Sequence, residues 1–174
     1  MASTLKFDQW LATDGTSRNA VVNVQQFVTT ANTYYSGAST LNSPVEITDM
    51  AYTFTPKVSG SKILIMFDVI IGQTSNDSAS VRFSINGSFP FIGATNSGGY
   101  IGYSSQSSYV NNTSASNFNY CGRYLYQNSG LTPLALKMYG YEQGGSFYLN
   151  RSYSYDDSAR ARGPSTWTIL EFQP

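Results

Sequence analysis

The chain has 174 residues and 19.1 kDa, with 41% hydrophobic and 15% aromatic side chains, which is enough apolar material for one packed domain and argues against disorder. Charged residues make up only 11%, ten basic against ten acidic, and histidine is absent. This argues against a basic phosphate-binding surface and removes the commonest general base, metal ligand and pH switch. Cys121 stands alone, so it can form neither an intrachain disulfide nor a multi-cysteine zinc site.

Residues 1–19 place Leu5, Phe7, Trp10 and Leu11 ahead of the turn-forming Asp14-Gly15-Thr16-Ser17, without sustained periodicity. They read as an extended arm outside a domain spanning 20–174. The opening Met1-Ala-Ser-Thr-Leu-Lys-Phe-Asp8 lacks the apolar stretch of a secretory signal. Val21–Val28 is β-rich. Val45–Phe54 alternates, with Val45 and Ile47 on one face, a register slip near Asp49, and Met50, Tyr52 and Phe54 continuing the stripe, which predicts a bulged, half-buried strand. Pro56 and Ser59-Gly60 close it with turn chemistry. Ile63–Ile71 is apolar throughout except for Asp68, is half the length of a membrane span, and predicts a strand in a sandwich core.

Val81–Ile85 alternates and runs into Asn86-Gly87, the strongest short-range hairpin signal, which predicts Phe89–Ile92 as the returning strand. Residues 93–117 form a Gly/Ser/Asn/Tyr tract, in which Tyr100, Ile101, Tyr103, Tyr109 and Val110 support one irregular strand. Phe118–Tyr126, Leu134–Tyr141, Phe147–Leu149 and Trp167–Phe172 complete the set. No capped helical stripe and no internal repeat is present. Short strands, Gly-rich turns and no helix predict an all-β fold: a two-sheet antiparallel sandwich, most economically a jelly roll.

Motifs that carry chemistry are scarce. Ser59-Gly-Ser-Lys62 matches S-x-x-K, but its turn context and the lack of S-D-N or K-T-G partners favour a turn feeding a strand. Asp156-Asp157 has no calcium-loop spacing and reads as a solvated loop. Arg160 and Arg162 are too few for a nucleic-acid patch. Cys121 has no histidine to activate it and reads as a small buried hydrophobe. The N-x-S/T matches at Asn76, Asn86, Asn111, Asn112 and Asn150 are those a Ser- and Asn-rich chain produces by chance. Asp68, the one carboxylate in an apolar run, is expected to be buried with a raised pKa and a core partner. A lone buried carboxylate is not a glycosidase pair, so the chain reads as a non-enzyme with no cofactor and no metal. Tyrosine gives contact area at low entropy cost and suits interfaces and sugar-binding surfaces.

Tyr148-Leu-Asn-Arg-Ser152, followed by Arg162-Gly-Pro-Ser-Thr-Trp-Thr-Ile-Leu-Glu171, resembles the C-terminal signature G-x-S-T-x-T-x-x-E of small jelly-roll structural proteins from tailed bacteriophages, nearest to the marine and cyanobacterial phage type. Phe54-Thr-Pro-Lys-Val-Ser-Gly-Ser-Lys-Ile-Leu-Ile65 resembles their central strand. The resemblance spans 45–172 in outline, and the middle, 93–130, has no counterpart. It implies a TNF/C1q-like jelly roll that assembles as a homotrimer.

From this comes an expected function: a capsid decoration (cement) protein on the outer surface of the virion. The roughly twenty residues ahead of the first core strand reach at most about 70 Å extended, too short for a fibre shaft. The arm would lay Leu5, Phe7, Trp10 and Leu11 onto the major capsid protein or another virion protein, with no nucleic-acid or membrane partner. The trimer contact is expected at Leu136, Met138, Tyr139, Tyr141, Phe147 and Tyr148, where charge is low and rings are large. The alternative is a receptor-binding or carbohydrate-binding knob, in which Tyr100, Tyr103, Tyr109 and Asn112 would face a host surface glycan.

Overall fold

A computed structural model describes residues 20–38, 43–73, 79–90, 105–106, 117–151 and 163–174. The arm residues Leu5, Phe7, Trp10 and Leu11, the glycan-loop residues Tyr100, Tyr103, Tyr109 and Asn112, and Asp156, Asp157, Arg160 and Arg162 lie outside the described residues. The described chain is all β: β1 (Val21–Thr29), β2 (Tyr34–Ser36), β3 (Val45–Phe54), β4 (Lys62–Gln73), β5 (Ala79–Ile85), β6 (Ser105–Gln106), β7 (Asn117–Gln127), β8 (Leu134–Glu142), β9 (Ser146–Leu149) and β10 (Ser165–Phe172).

These strands form two antiparallel sheets. In the first, β7 runs beside β4 from Lys62 to Gly72, and β10 pairs β4 from Lys62 to Asp68. Beyond that point β9 pairs β4 from Ile71 to Gln73; β1 flanks β10 and β2 flanks β9. The second sheet runs β3-β8-β5-β6.

Strand periodicity sorts the side chains. Ile63, Ile65, Phe67, Val69 and Ile71 of β4 point inward, as do Val81, Phe83 and Ile85 of β5, Leu134, Leu136 and Met138 of β8, and Trp167 and Ile169 of β10. Phe67, Phe83 and Trp167 form a three-ring cluster with centroids 5.7 to 5.9 Å apart, which joins β4 and β10 of one sheet to β5 of the other. The Trp167 Nε1–H donates to the Met50 carbonyl at 2.8 Å, a second tie between the sheets.

The slip expected near Asp49 is present: the β3–β8 register shifts between Ile47 and Tyr52. The irregular stretch is clipped to β2. The Tyr35 hydroxyl donates to Asp49 Oδ2 at 2.9 Å and accepts from the Asp49 N–H at 3.2 Å, and Thr33 Oγ1 donates to the same carboxylate. Burial pushes the Tyr35 hydroxyl pKa up, which keeps its proton available to donate.

Other expectations need correction. Asn86 (φ +50°) and Gly87 (φ +82°) make the tight turn, closed by reciprocal Ile85–Ser88 bonds, but Phe89 and Pro90 are not strand. Pairing stops at the isolated Ile85–Ser88 bridge, and Pro90 has no N–H for a ladder; Phe91 and Ile92 lie outside the described residues. The Phe89 ring instead meets the Arg82 guanidinium at 4.0 Å and the Tyr139 ring at 5.4 Å. Asp68 is not buried, and neither is Cys121: both are exposed on the outer side of their strands, while Phe67 and Tyr120 take the inner positions. Ser59-Gly-Ser-Lys62 is a turn entering β4, with Gly60 at φ +76° and the Ser59 hydroxyl on the Ser129 carbonyl.

One buried carboxylate does organise an end of the sandwich. Glu171 is fully buried, and its oxygens accept from Lys57 N–H at 2.9 Å, Val58 N–H at 3.0 Å and Ser61 Oγ–H at 2.8 Å, with Asn23 Nδ2 at 3.5 Å. Asn128 closes the arrangement, its amide donating to the Val58 carbonyl and to Ser61 Oγ. Burial raises the Glu171 pKa, but the bonds from Lys57, Val58, Ser61 and Asn23 outweigh it and hold the carboxyl below its ordinary value of 4.5. A folded pKa below the unfolded one gives stability that is complete above the unfolded value and lost as pH falls through the folded one. Glu171→Gln is therefore expected to lower unfolding free energy at pH 7 by about 1.5–3 kcal/mol. Denaturant titrations should show the gap to the parent shrinking as pH drops below 4.5, and a gap independent of pH would contradict this role.

Candidate interaction surface

The continuous apolar run of β4 has side chains on two faces, and the described residues fully bury only one of them. The inner set is the core. The outer set is Lys62, Leu64, Met66, Asp68 and Ile70, half-buried or exposed. The ladder registers place these residues in rows across four strands. One row is Val24, Leu170, Leu64 and Leu125, from β1 through β10 and β4 to β7. The row on one side is Val21, Phe172, Lys62 and Gln127; those on the other are Gln26, Thr168, Met66 and Arg123, then Val28, Thr166, Asp68 and Cys121.

Among the described residues, four of the six exposed large hydrophobics lie on this face: Val24 at 62% exposure, Leu125 at 55%, Val28 at 50% and Val21 at 46%. A shallow depression of about 410 Å³ is lined by Lys62, Leu64, Leu125 and Phe172. From Lys62 to Ile70 and across four strands the face measures about 30 Å by about 19 Å, on the order of 570 Å². Two such surfaces in contact would bury on the order of 1,100 Å², about the lower bound for a specific interface. Seven of the sixteen residues in these rows are polar or charged, so the apolar part, centred on the row of Val24, Leu170, Leu64 and Leu125, is about half of that area.

The trimer contact expected at β8 and β9 falls mostly inside the sandwich. Leu136, Met138 and Phe147 are fully buried in the core of the single chain and Tyr141 nearly so, so they have no surface to offer another copy. Tyr139 and Tyr148 point outward, but on different sheets. Tyr139 sits by Phe89 and Arg82. Tyr148 lies 4.9 Å from the ring of Tyr34, which is 51% exposed, and the Arg151 guanidinium lies 4.3 Å over the Tyr148 ring. This stack occupies the far end of the first sheet, at the level of Gly72.

The residues of the C-terminal signature have structural roles. A Cβ at Gly163 would lie 2.4 Å from Ile70 Cδ1. The buried Ser165 hydroxyl donates to Asn150 Oδ1 at 2.6 Å and accepts from Ile70 N–H at 2.9 Å. Asn150, at φ +60°, donates its amide to the Thr29 and Ala31 carbonyls. Its burial is that of a structural clamp rather than a glycan acceptor. The Asn86 side chain is likewise engaged, accepting from Ala135 N–H at 2.8 Å. Among the described residues no three Cys, Asp or Glu side chains gather to hold a metal ion.

If the outer face is where copies meet, thermal stability rises with protein concentration, because association stabilises the folded state by mass action. The midpoint of unfolding should climb between 1 µM and 100 µM for the parent chain and stay constant for Leu125→Asp; a flat parent curve would contradict the assignment. No protein-family profile and no curated protein matches the chain, so the functional reading rests on its own sheet order and surface.

Proposed function

We propose that the chain is a structural protein of a bacteriophage virion: a homotrimeric jelly roll that decorates the outer surface of the assembled head and stabilises it. The sheet order supports the fold part of this reading. With short β2 and β9 set aside, eight strands remain, and a single antiparallel ribbon of eight strands pairs first with eighth, second with seventh, third with sixth and fourth with fifth. All four pairs occur here, as β1–β10, β3–β8, β4–β7 and β5–β6. Rolling such a ribbon so that alternate pairs fall in opposite sheets gives a jelly roll, and the pairs do alternate between the sheets.

The observation that carries the function is the uncovered apolar face of β1, β10, β4 and β7. Such a protein works by mass action: it binds the assembled shell and its own copies, but not separated shell subunits, and so favours the shell. Self-contact uses the outer sheet face in place of the β8–β9 surface. The arm residues Leu5, Phe7, Trp10 and Leu11 serve as apolar anchors on neighbouring shell subunits, where a few aromatic side chains carry most of the energy.

A second reading, a carbohydrate-binding knob, is favoured by one observation: the Tyr34–Tyr148–Arg151 stack stands beyond the apolar rows and presents an exposed ring with a cation nearby. Saturable adsorption of the purified protein to host cells or a glycan array would favour it over decoration.

Two results are expected. In solution the parent has a mass three times that of the 19.1 kDa chain, and a monomer at 100 µM would overturn the assembly. Protein lacking residues 1–19 binds undecorated heads at least about tenfold more weakly than the full chain, and equal binding would overturn the anchoring role.

A further inference from the structure

The outer face carries ions that form no ion pair among the described residues. Asp68 and Arg123 are both exposed, on the adjacent strands β4 and β7, one row apart in the ladder. Despite this proximity they form no ion pair with each other. Among the described residues the ion pair is Lys137–Glu46, on the other sheet. Three charges stand on this face, Lys62 in an end row and Asp68 and Arg123 in neighbouring rows, and the last two are the oppositely charged residues one row apart. On a surface that stays in water they would cost nothing. On a surface that becomes dry, each needs a partner within reach.

We infer that this partner is a second copy of the chain, and that Arg123 of one copy pairs with Asp68 of the next across the outer sheet face. This rests on the self-association reading above and deepens it by fixing which residues meet. Arg123 lies on β7, which pairs only β4 among the described residues, whereas Asp68 lies one strand inward. The β7 side of one copy, laid on the face of the next, brings the guanidinium over the carboxylate and Leu125, one row along β7, over Met66, one row along β4. The two copies then use different surfaces. This is a heterologous contact, and it closes into a ring when each step turns the chain by a third of a revolution. The zero formal charge of the chain leaves no long-range repulsion between copies, and the pair supplies orientation that apolar rows alone lack.

The test is a charge swap read by sedimentation velocity over 1–100 µM, with circular dichroism confirming that each variant is folded. Asp68→Arg and Arg123→Asp each place like charges at every contact, and each should raise the apparent dissociation constant at least about tenfold. The double variant Asp68→Arg/Arg123→Asp restores opposite charges and should return to within about threefold of the parent. Single variants that assemble like the parent, or a double variant no better than the worse single, would overturn the pairing. Leu125→Asp separates this inference from the reading beneath it. If it dissociates the assembly while the charge variants do not, the pairing fails and the interface stands; if it leaves the assembly intact, the interface itself is wrong.

Discussion

The structure depends on one mismatch: β4 carries apolar side chains on both faces, and the described residues bury only one of them. A strand buried on both sides reads as a continuous hydrophobic run, whereas one with a solvated face alternates. The stretch Ile63–Ile71 is of the first kind, yet its sheet has the second sheet on one side and nothing from the described residues on Leu64, Met66 and the valines of β1.

Two buried polar arrangements tie the strands of this sheet to their loops. At one end Glu171 captures the β3–β4 loop through backbone N–H groups and Ser61; at the other Asn150 and Ser165 tie the end of β1 to β4 and β10. Both arrangements bury groups that would be costly if left unbonded. The residues behind the phage resemblance are largely these: Asn150, Gly163, Ser165, Trp167 and Glu171. They hold strands together and touch the core, which is why they speak to fold and leave the ligand unspecified.

Much of the fold was legible in the sequence because period-two patterning is a local signal. The slip at Asp49 and the turn at Asn86-Gly87 were readable from alternation and turn chemistry alone. β2 was not, since three residues, Tyr34–Ser36, are too few to show a period and are held by β9 and by the Tyr35–Asp49 contact across the sandwich. The site was less legible. A continuous apolar run does not say which of its faces will be buried, so patterning alone puts Asp68 in the core, and low charge with large rings marks Leu136, Met138 and Phe147 as a contact although the core consumes them. Cys121 was misplaced for the same reason: in Tyr120–Cys121 only the register of β7 against β4 decides which side chain turns inward. The signal that identified the surface was in the run Ile63–Ile71 itself, as an excess of apolar residues over what one buried face needs.

That misplaced cysteine offers the most direct test. Cys121 is exposed in the single chain and shares a row with Val28, Thr166 and Asp68 on the outer face. The rate of its alkylation by a small thiol reagent, measured across protein concentrations spanning dissociation, reports whether that face is covered. The account predicts fast modification in the dissociated chain and at least about tenfold protection in the assembly; the same rate in both would mean that the copies meet somewhere else.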